Sequence, residues 1–204
     1  MGRIQNQCAV RILRNKNMRD EIRKIIESIE PYDDLEALQI NNTIEWINSG
    51  EEIFRIKKPA IPPKHLVSFF TLIDLNERKI LFMDHIKAEL WLPAGGHIEK
   101  DEHPKTTVER EIKEELNIAA NFINPEPLFL TEDITVGKTA GHTDVSLWYI
   151  LNGDSKNKII FDPGEFNGYK WFDFKEILNT DISKFNKNTH RFMRKLLQKL
   201  ESVK

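Results

Sequence analysis

The stretch from Pro93 to Ile118 constrains this chain more than any other. It reads Pro-Ala-Gly-Gly-His-Ile-Glu-Lys-Asp-Glu-His-Pro-Lys-Thr-Thr-Val-Glu-Arg-Glu-Ile-Lys-Glu-Glu-Leu-Asn-Ile. Pro93 is expected to end strand pairing, and Gly95 and Gly96 then allow a sharp turn with a carbonyl directed inward. A polar loop runs to Pro104, which suits a first helical position because its missing N–H would have no intrahelical partner there. Beyond it, Val108, Ile112 and Leu116 recur at i, i+4, i+8 and form an apolar stripe. Glu111, Glu114 and Glu115 form a second stripe beside it. The predicted helix therefore buries one side against a sheet and presents three carboxylates together at the edge of that contact.

Like charges so placed repel one another by a few tenths of a kcal/mol per pair on an exposed helix. Two groups can offset the repulsion. Arg110, four residues before Glu114, can pair with one carboxylate or reach back to Glu102. A hard divalent cation is the other, since carboxylate and carbonyl oxygens suit Mg²⁺ or Mn²⁺. On composition alone such a helix is simply a solvated face.

The spacing argues for more. Gly96, five residues, Glu102, seven residues, then Arg110-Glu111-Ile112-Lys113-Glu114-Glu115-Leu116-Asn117-Ile118 resembles the Nudix box of the Nudix hydrolase (MutT-like) superfamily. Asn117 stands where that family usually has glycine. The position after a helix tends to be left-handed, and asparagine tolerates that conformation best after glycine.

The resemblance implies an α/β fold over 61–204, an α/β/α sandwich with a mixed sheet, preceded by a helical extension over 1–60. It implies that the Gly95 carbonyl, Glu111, Glu114 and Glu115 hold divalent metal, Mg²⁺ with Mn²⁺ as the alternative. It gives Arg110 the task of orienting the glutamates and Glu102 that of its partner, with Glu114 in the reaction itself. Glu165, six residues before Trp171, resembles a position where several members place a further metal-binding or basic carboxylate.

The chemistry of the residues agrees. Attack of water on a diphosphate linkage needs its charge neutralised and the water partly deprotonated, which carboxylate-held Mg²⁺ can provide, with one more carboxylate to take the proton. There is no Gly-x-x-x-x-Gly-Lys-Ser/Thr loop and no serine or cysteine constellation for a covalent intermediate. Zinc is not expected as the working ion, because no His/Cys quartet with zinc spacing is visible.

The substrate is less legible. Asp133 stands where ADP-ribose hydrolases of the family show proline, and Thr135 where dinucleoside-polyphosphate hydrolases show tyrosine. Leu81 to Leu92 lacks the pattern of the coenzyme A diphosphatases. The reading leans to a nucleoside di- or triphosphate, oxidised ones included, or another nucleoside diphosphate derivative. His142 and Asp144 are candidates to touch substrate or assist proton transfer, or else to cap a turn after Gly141. Trp91 and Phe69 are candidate base-stacking surfaces, although an aromatic on a strand usually belongs to a core.

Two readings from other classes compete. A prenyl-diphosphate isomerase of the same fold would want a cysteine in the sheet, and the single cysteine is Cys8. A non-catalytic nucleotide sensor signalling through residues 1–60 would tend to lose box glutamates, and none is lost.

Composition sets the remaining bounds. Lys plus Arg total 30 and Asp plus Glu 32, so no strong field draws the chain to a nucleic acid duplex or an anionic membrane. One cysteine excludes an internal disulfide framework and fits a reducing cytoplasm. No apolar run reaches the length of a membrane span, and the N-terminus lacks the apolar core of a signal peptide.

In residues 1–60, Ile22, Ile25, Ile26 and Ile29 suggest a first amphipathic helix before Pro31. Asp34 is expected to cap a second, with Leu35, Leu38, Ile44, Trp46 and Ile47 as its apolar side and Gly50 as its stop. Asn41, Asn42 and Thr43 break the pattern and predict two shorter helices there. The expected role is a helical hairpin packed on the domain or against a second copy in a homodimer. Mixed charges argue against a DNA-reading helix-turn-helix. Pro59 to Pro63 reads as a stiff linker. Strands are expected over His65–Ile73, Lys79–His85, Leu128–Asp133, Thr143–Leu151 and Tyr169–Phe172. A short helix follows from Phe174, and an amphipathic helix from Thr189 carries a solvated basic face.

Overall fold

A computed structural model describes residues 18–202; Cys8 lies outside them. Helix α1 covers residues 18–27, and α2 (Asp34–Ser49) follows. Then come strands β1 (Lys64–Asp74), β2 (Lys79–His85), β3 (Leu90–Leu92) and β4 (Ala94–His97), and helix α3 (Pro104–Leu116). Strands β5 (Phe129–Ile134), β6 (Thr143–Asn152) and β7 (Phe166–Asp173) lead to helices α4 (Phe174–Asn179) and α5 (Thr189–Ser202). No helix among the described residues is long and apolar enough to cross a membrane.

All seven strands form one mixed sheet around β1. Strand β1 runs parallel to β6 over the full length of β6, from Lys64 opposite Thr143 to Ile73 opposite Asn152. It joins β2 through a turn in which Asp74 Oδ1 accepts from the Asn76 and Glu77 amides at 3.1 and 3.0 Å. The two strands share only the pairs Ile73–Ile80 and Asp74–Lys79 beside that turn. Beyond it, β4 pairs with β1 and β3 with β2, so the fork is filled by one segment that changes partner at Pro93. The expected glycine turn is thus a strand. Pro93 does end β3, but β4 begins at once, with Gly95 opposite Phe69 and Gly96 opposite Ser68. Two residues without side chains let this strand lie close under α3.

Apolar residues on the two faces form two clusters. Val108, Ile112 and Leu116 of α3, Ile22 and Ile26 of α1, and Trp46 and Ile47 of α2 pack with Leu66, Phe70, Leu147 and Tyr149 on one face. Phe192, Met193 and Leu196 of α5 pack with Phe82, Phe129 and Trp148 on the other. This is the expected sandwich. The segment Pro59–Pro63 is docked on it, because the Pro63 carbonyl accepts from Thr143 N at 2.7 Å.

Helix α2 departs from expectation in three respects. It is one continuous helix, its N-cap is Asp33, which accepts from Glu36 N, and over its first turns it buries a different face, while Trp46 and Ile47 are buried as expected. Leu35 and Leu38 are 47 % and 55 % exposed, while Glu36, Gln39, Ile40 and Thr43 are buried. The reason is what α2 covers. Strand β5 is the edge of the sheet, and an edge presents backbone polar groups. Glu36 Oε1 accepts from Leu130 N at 3.1 Å, and Gln39 Nε2 donates to the Glu132 carbonyl at 3.1 Å. Residues three apart on one helix face thereby satisfy groups two apart on one strand edge. Gly50 does end the helix, with φ 83°.

The basic face of α5 is likewise not all solvated. Lys195 Nζ donates to the buried Glu36 Oε1 at 2.7 Å. Arg191 grips Asp33 through Nε and Nη2 at 2.8 and 2.5 Å. Helix α2 is therefore fastened to β5 and α5 by polar contacts as well as by a shared core.

Candidate active site

Helix α3 behaves as its spacing predicts. His103 caps it, with Nδ1 accepting from Lys105 N at 3.0 Å, and Pro104 opens it. Val108 and Ile112 are fully buried. Asn117 closes the helix in the left-handed conformation at φ 53°.

Arg110 organises the carboxylates. Its Nε and Nη2 donate to the two Glu102 oxygens at 3.0 Å each, a two-pronged contact. Nη1 donates to Glu111 Oε1 at 2.5 Å and stands 3.5 Å from Glu114 Oε2; Nη2 also reaches the His97 carbonyl at 3.2 Å. Glu102 Oε2 accepts further from Glu99 N and the Thr107 hydroxyl, at 3.1 and 2.8 Å. Burial would raise the Glu102 pKa, but the bonds from Arg110, Glu99 and Thr107 outweigh it and hold it below the ordinary value. The loop and helix are thus latched by one guanidinium.

Glu111 and Glu115 face the opposite pressure. Burial raises the Glu111 pKa despite Arg110. Burial, then the charge of Glu111, pushes Glu115 up to about 9, with Glu165 and Asp162 adding to it. Glu115 Oε2 accepts from Gly95 N at 3.0 Å, and Glu115 forms no ion pair among the described residues. The carboxylate of Glu114 is the exposed member, with 61 % of its side chain accessible. Two half-buried carboxylates side by side, with a third at the rim, are a donor set that a hard dication fits.

The glycines have separate tasks. A Cβ on Gly95 would lie 2.1 Å from the Ser68 carbonyl oxygen, and its φ is +141°, so the close approach of β1 demands glycine. A Cβ on Gly96 would lie 2.0 Å from Glu111 Oε1. Gly96 is therefore the floor of the cradle in which the Glu111 carboxylate rests. At Gly95 it is the amide that engages a carboxylate; the expected metal-binding carbonyl belongs to the same peptide segment.

The remaining candidates divide. Glu165 lies near enough to raise the Glu115 pKa, and its carboxylate is held by Lys87 Nζ at 2.9 and 3.0 Å. Asp162 joins the same surroundings, its amide donating to the Glu115 carbonyl at 2.9 Å. Spacing gave no signal for Asp162 or Lys87, since both come from loops. Trp91 packs edge-on to Phe172, and Phe69 edge-on to Trp148, both against the cluster under α5. His142 and Asp144 come together, with Nε2 and Oδ1 3.3 Å apart. Beside them stand His65 and His97, which sequence reasoning did not single out.

Comparison with known proteins follows from this geometry. The sequence matches no curated protein closely enough to count as a relative. Among solved structures, a hydrolase of the NUDIX family from Clostridium perfringens is 21 % identical, with 65 % of this chain and 97 % of that chain covered and a TM-score of 0.50. The NUDIX domain of Shewanella oneidensis NrtR, complexed with ADP ribose, is 17 % identical, with 66 % and 87 % covered and a TM-score of 0.52. An Ap4A hydrolase from C. elegans, in a binary complex, is 16 % identical, with 67 % and 98 % covered and a TM-score of 0.50. At these identities the likeness is one of fold. A family model described as the NUDIX domain matches residues 64–196. That match covers more than half of the 204 residues, and the chain belongs to the Nudix family.

Proposed function

We propose that this protein is a divalent-metal-dependent hydrolase that cleaves a diphosphate linkage in a nucleoside triphosphate or nucleoside diphosphate derivative, by attack of water at phosphorus. The observation that carries the reading is the pairing of Glu111 and Glu115, half-buried together with room made for one of them at Gly96. Such a pair is costly on an idle surface and suited to a cation. Glu111, Glu114 and Glu115 would hold Mg²⁺ or Mn²⁺, with Glu165 at the margin. When bound, the ion supplies charge compensation for the diphosphate oxygens and acidifies water.

The protein's own groups set the geometry. Arg110, braced by Glu102 and the His97 carbonyl, fixes Glu111. Gly95 N–H fixes Glu115. Glu114, exposed and 3.5 Å from Arg110, would complete the ligand set at the rim, and Glu165 would be the further carboxylate that takes the proton. Lys87 holds Glu165 and adds a cation near the path of an anionic substrate. Two fold neighbours support the substrate class, one complexed with ADP ribose and one an Ap4A hydrolase. Residues 18–60 act as a packed extension of the catalytic domain.

The test is a panel of nucleoside triphosphates, nucleoside diphosphate sugars and dinucleoside polyphosphates, assayed with Mg²⁺ and again with excess chelator. Mg²⁺-dependent release of phosphate or nucleoside monophosphate supports the reading. Equal rates in chelator, or no turnover across the panel by folded protein, reject it.

A further inference from the structure

Three histidines and one aspartate converge at the end of the sheet next to β4. His65 comes from β1, His97 from β4, His142 from the residue just before β6 and Asp144 from its start; one ligand atom of each lies within 4.8 Å of the others. The parallel register of β1 and β6 sets His65 directly opposite Asp144. We propose that these four residues form a second cation site, for Zn²⁺ or a similar transition-metal dication, distinct from the carboxylate centre of α3.

The donor chemistry selects the class of ion. Imidazole nitrogen suits Zn²⁺ and its neighbours, whereas the all-oxygen set on α3 suits Mg²⁺ or Mn²⁺. Three histidines and a carboxylate make up the four ligands of a tetrahedral site. Metal–ligand distances of about 2.0–2.1 Å give tetrahedral edges of about 3.3 Å. His65 Nε2 and His142 Nε2 already stand 3.2 and 3.3 Å from Asp144 Oδ1.

Hydrogen bonding behind the rings points their free nitrogens inward. His65 Nδ1 donates to the Pro62 carbonyl at 2.8 Å, since a carbonyl can only accept. This leaves Nε2 of the neutral ring with a bare lone pair, the orientation a backing carbonyl gives to a metal-binding histidine. His142 Nδ1 has the Thr135 hydroxyl behind it at 3.1 Å. His65 is fully buried, and its Nε2 and Asp144 Oδ1 both lack a hydrogen-bond partner among the described residues. Although 3.2 Å apart, the two atoms are not aligned to satisfy each other. A buried ring nitrogen left so is expensive unless something fills the space before it.

One resident cation competes. Arg55 Nη1 stands 3.3 Å from His97 Nε2; burial lowers the Arg55 pKa, against the opposing charges of Asp144, Glu111 and Glu99. A guanidinium can only donate, so His97 Nε2 accepts there and carries the lone pair that a metal would take. A bound dication takes over from Arg55 as the countercharge of Asp144. It also ties β4 to β1 and β6 one residue from Gly96, at the residue whose carbonyl Arg110 holds. The site is a clamp on the strand beneath the carboxylate centre.

The experiment uses the full chain, stripped with chelator and titrated with Zn²⁺ or Co²⁺ by calorimetry, visible absorption and thermal melting. The expected result is one equivalent of Zn²⁺ and the intense visible bands of tetrahedral Co²⁺. At free Zn²⁺ 100 times Kd, the folded-to-unfolded ratio should rise about 100-fold. His142→Ala and His65→Gln should each abolish that equivalent, Arg55→Gln should tighten it, and Glu115→Gln should leave it in place. His142 lies at the margin, so its variant decides the matter if His65→Gln does not fold. No zinc equivalent in the wild type, or one that survives His142→Ala or disappears with Glu115→Gln, overturns the proposal. None of these readouts uses hydrolysis, so the clamp and the hydrolase reading fail separately.

Discussion

Gly96→Ala isolates the cradle from the fold. A Cβ at this position meets Glu111 Oε1 at 2.0 Å, where real contacts essentially never fall below 3.0 Å. The carboxylate must therefore withdraw by about 1 Å, the difference between those two distances. It is the far end of a flexible side chain, so the movement is easy for the fold. The backbone also permits it, since Gly96 has no positive φ. Alanine gains about 0.5–1 kcal/mol over glycine inside a strand, which roughly offsets the disturbed Arg110–Glu111 bond. Stability should change by less than about 1 kcal/mol. Activity should not be spared, because a 1 Å misplacement at a reacting centre costs on the order of 10²-fold. The assay is Mg²⁺-dependent turnover on the substrate the nucleotide panel selects, with Mn²⁺ affinity and melting measured on the same preparation. Gly95→Ala is the contrast: its Cβ strikes backbone at 2.1 Å from a φ of +141°, and it should fail to accumulate folded protein. Folded Gly96→Ala protein turning over within twofold of wild type would refute the idea that this glycine exists to seat Glu111.

Three other perturbations probe different contacts. Arg110→Lys replaces a two-pronged donor to Glu102 by a point charge; turnover should fall clearly with little change in melting, and extra Mg²⁺ should restore only part of it. Glu36→Ala strands the buried Lys195 ammonium and the Leu130 amide; a loss of about 3–5 kcal/mol is expected, or roughly 10 °C in melting temperature, and a shift under 2 °C would count against the edge-covering role of α2. Asp74 is held at a pKa of about 2, below its ordinary 3.8, by bonds from Glu77, Ser155 and Asn76. The folded-state value is depressed, so its stabilisation is present above pH 4 and lost as pH falls toward 2. In chemical denaturation at pH 6 and pH 2, Asp74→Asn should be less stable than wild type at the first and close to it at the second.

How much of this was legible in the sequence depends on whether a residue acts through its neighbours in the chain or through distant ones. The α3 stripe, the Arg110–Glu102 latch and the left-handed Asn117 are local, and the structure has each where spacing placed it. The first turns of α2 were misread at Leu35 and Leu38 because hydrophobic periodicity assumes an apolar partner. Their partner is a strand edge, and Glu36 and Gln39 serve it better than leucine does. β4 was missed because a glycine pair after proline carries the composition of a turn, while its pairing with β1 depends on residues nearly thirty positions earlier. The histidine cluster was invisible for a similar reason. His65, His97 and His142 stand 32 and 45 residues apart, and it takes the parallel register of β1 with β6 and the antiparallel pairing of β1 with β4 to unite them. A histidine opening an otherwise apolar strand was the one local hint.

The most direct test of the central claim is Glu115→Gln in the Mg²⁺-dependent assay. Glutamine keeps an acceptor for Gly95 N–H and is neutral, as is the metal-free Glu115 carboxyl with its pKa pushed up to about 9, so melting in chelator should not fall. Turnover should drop by roughly 10² or more, the scale for losing a group central to the reaction. A folded Glu115→Gln protein with wild-type turnover would contradict the assignment of the α3 carboxylates as the catalytic metal centre.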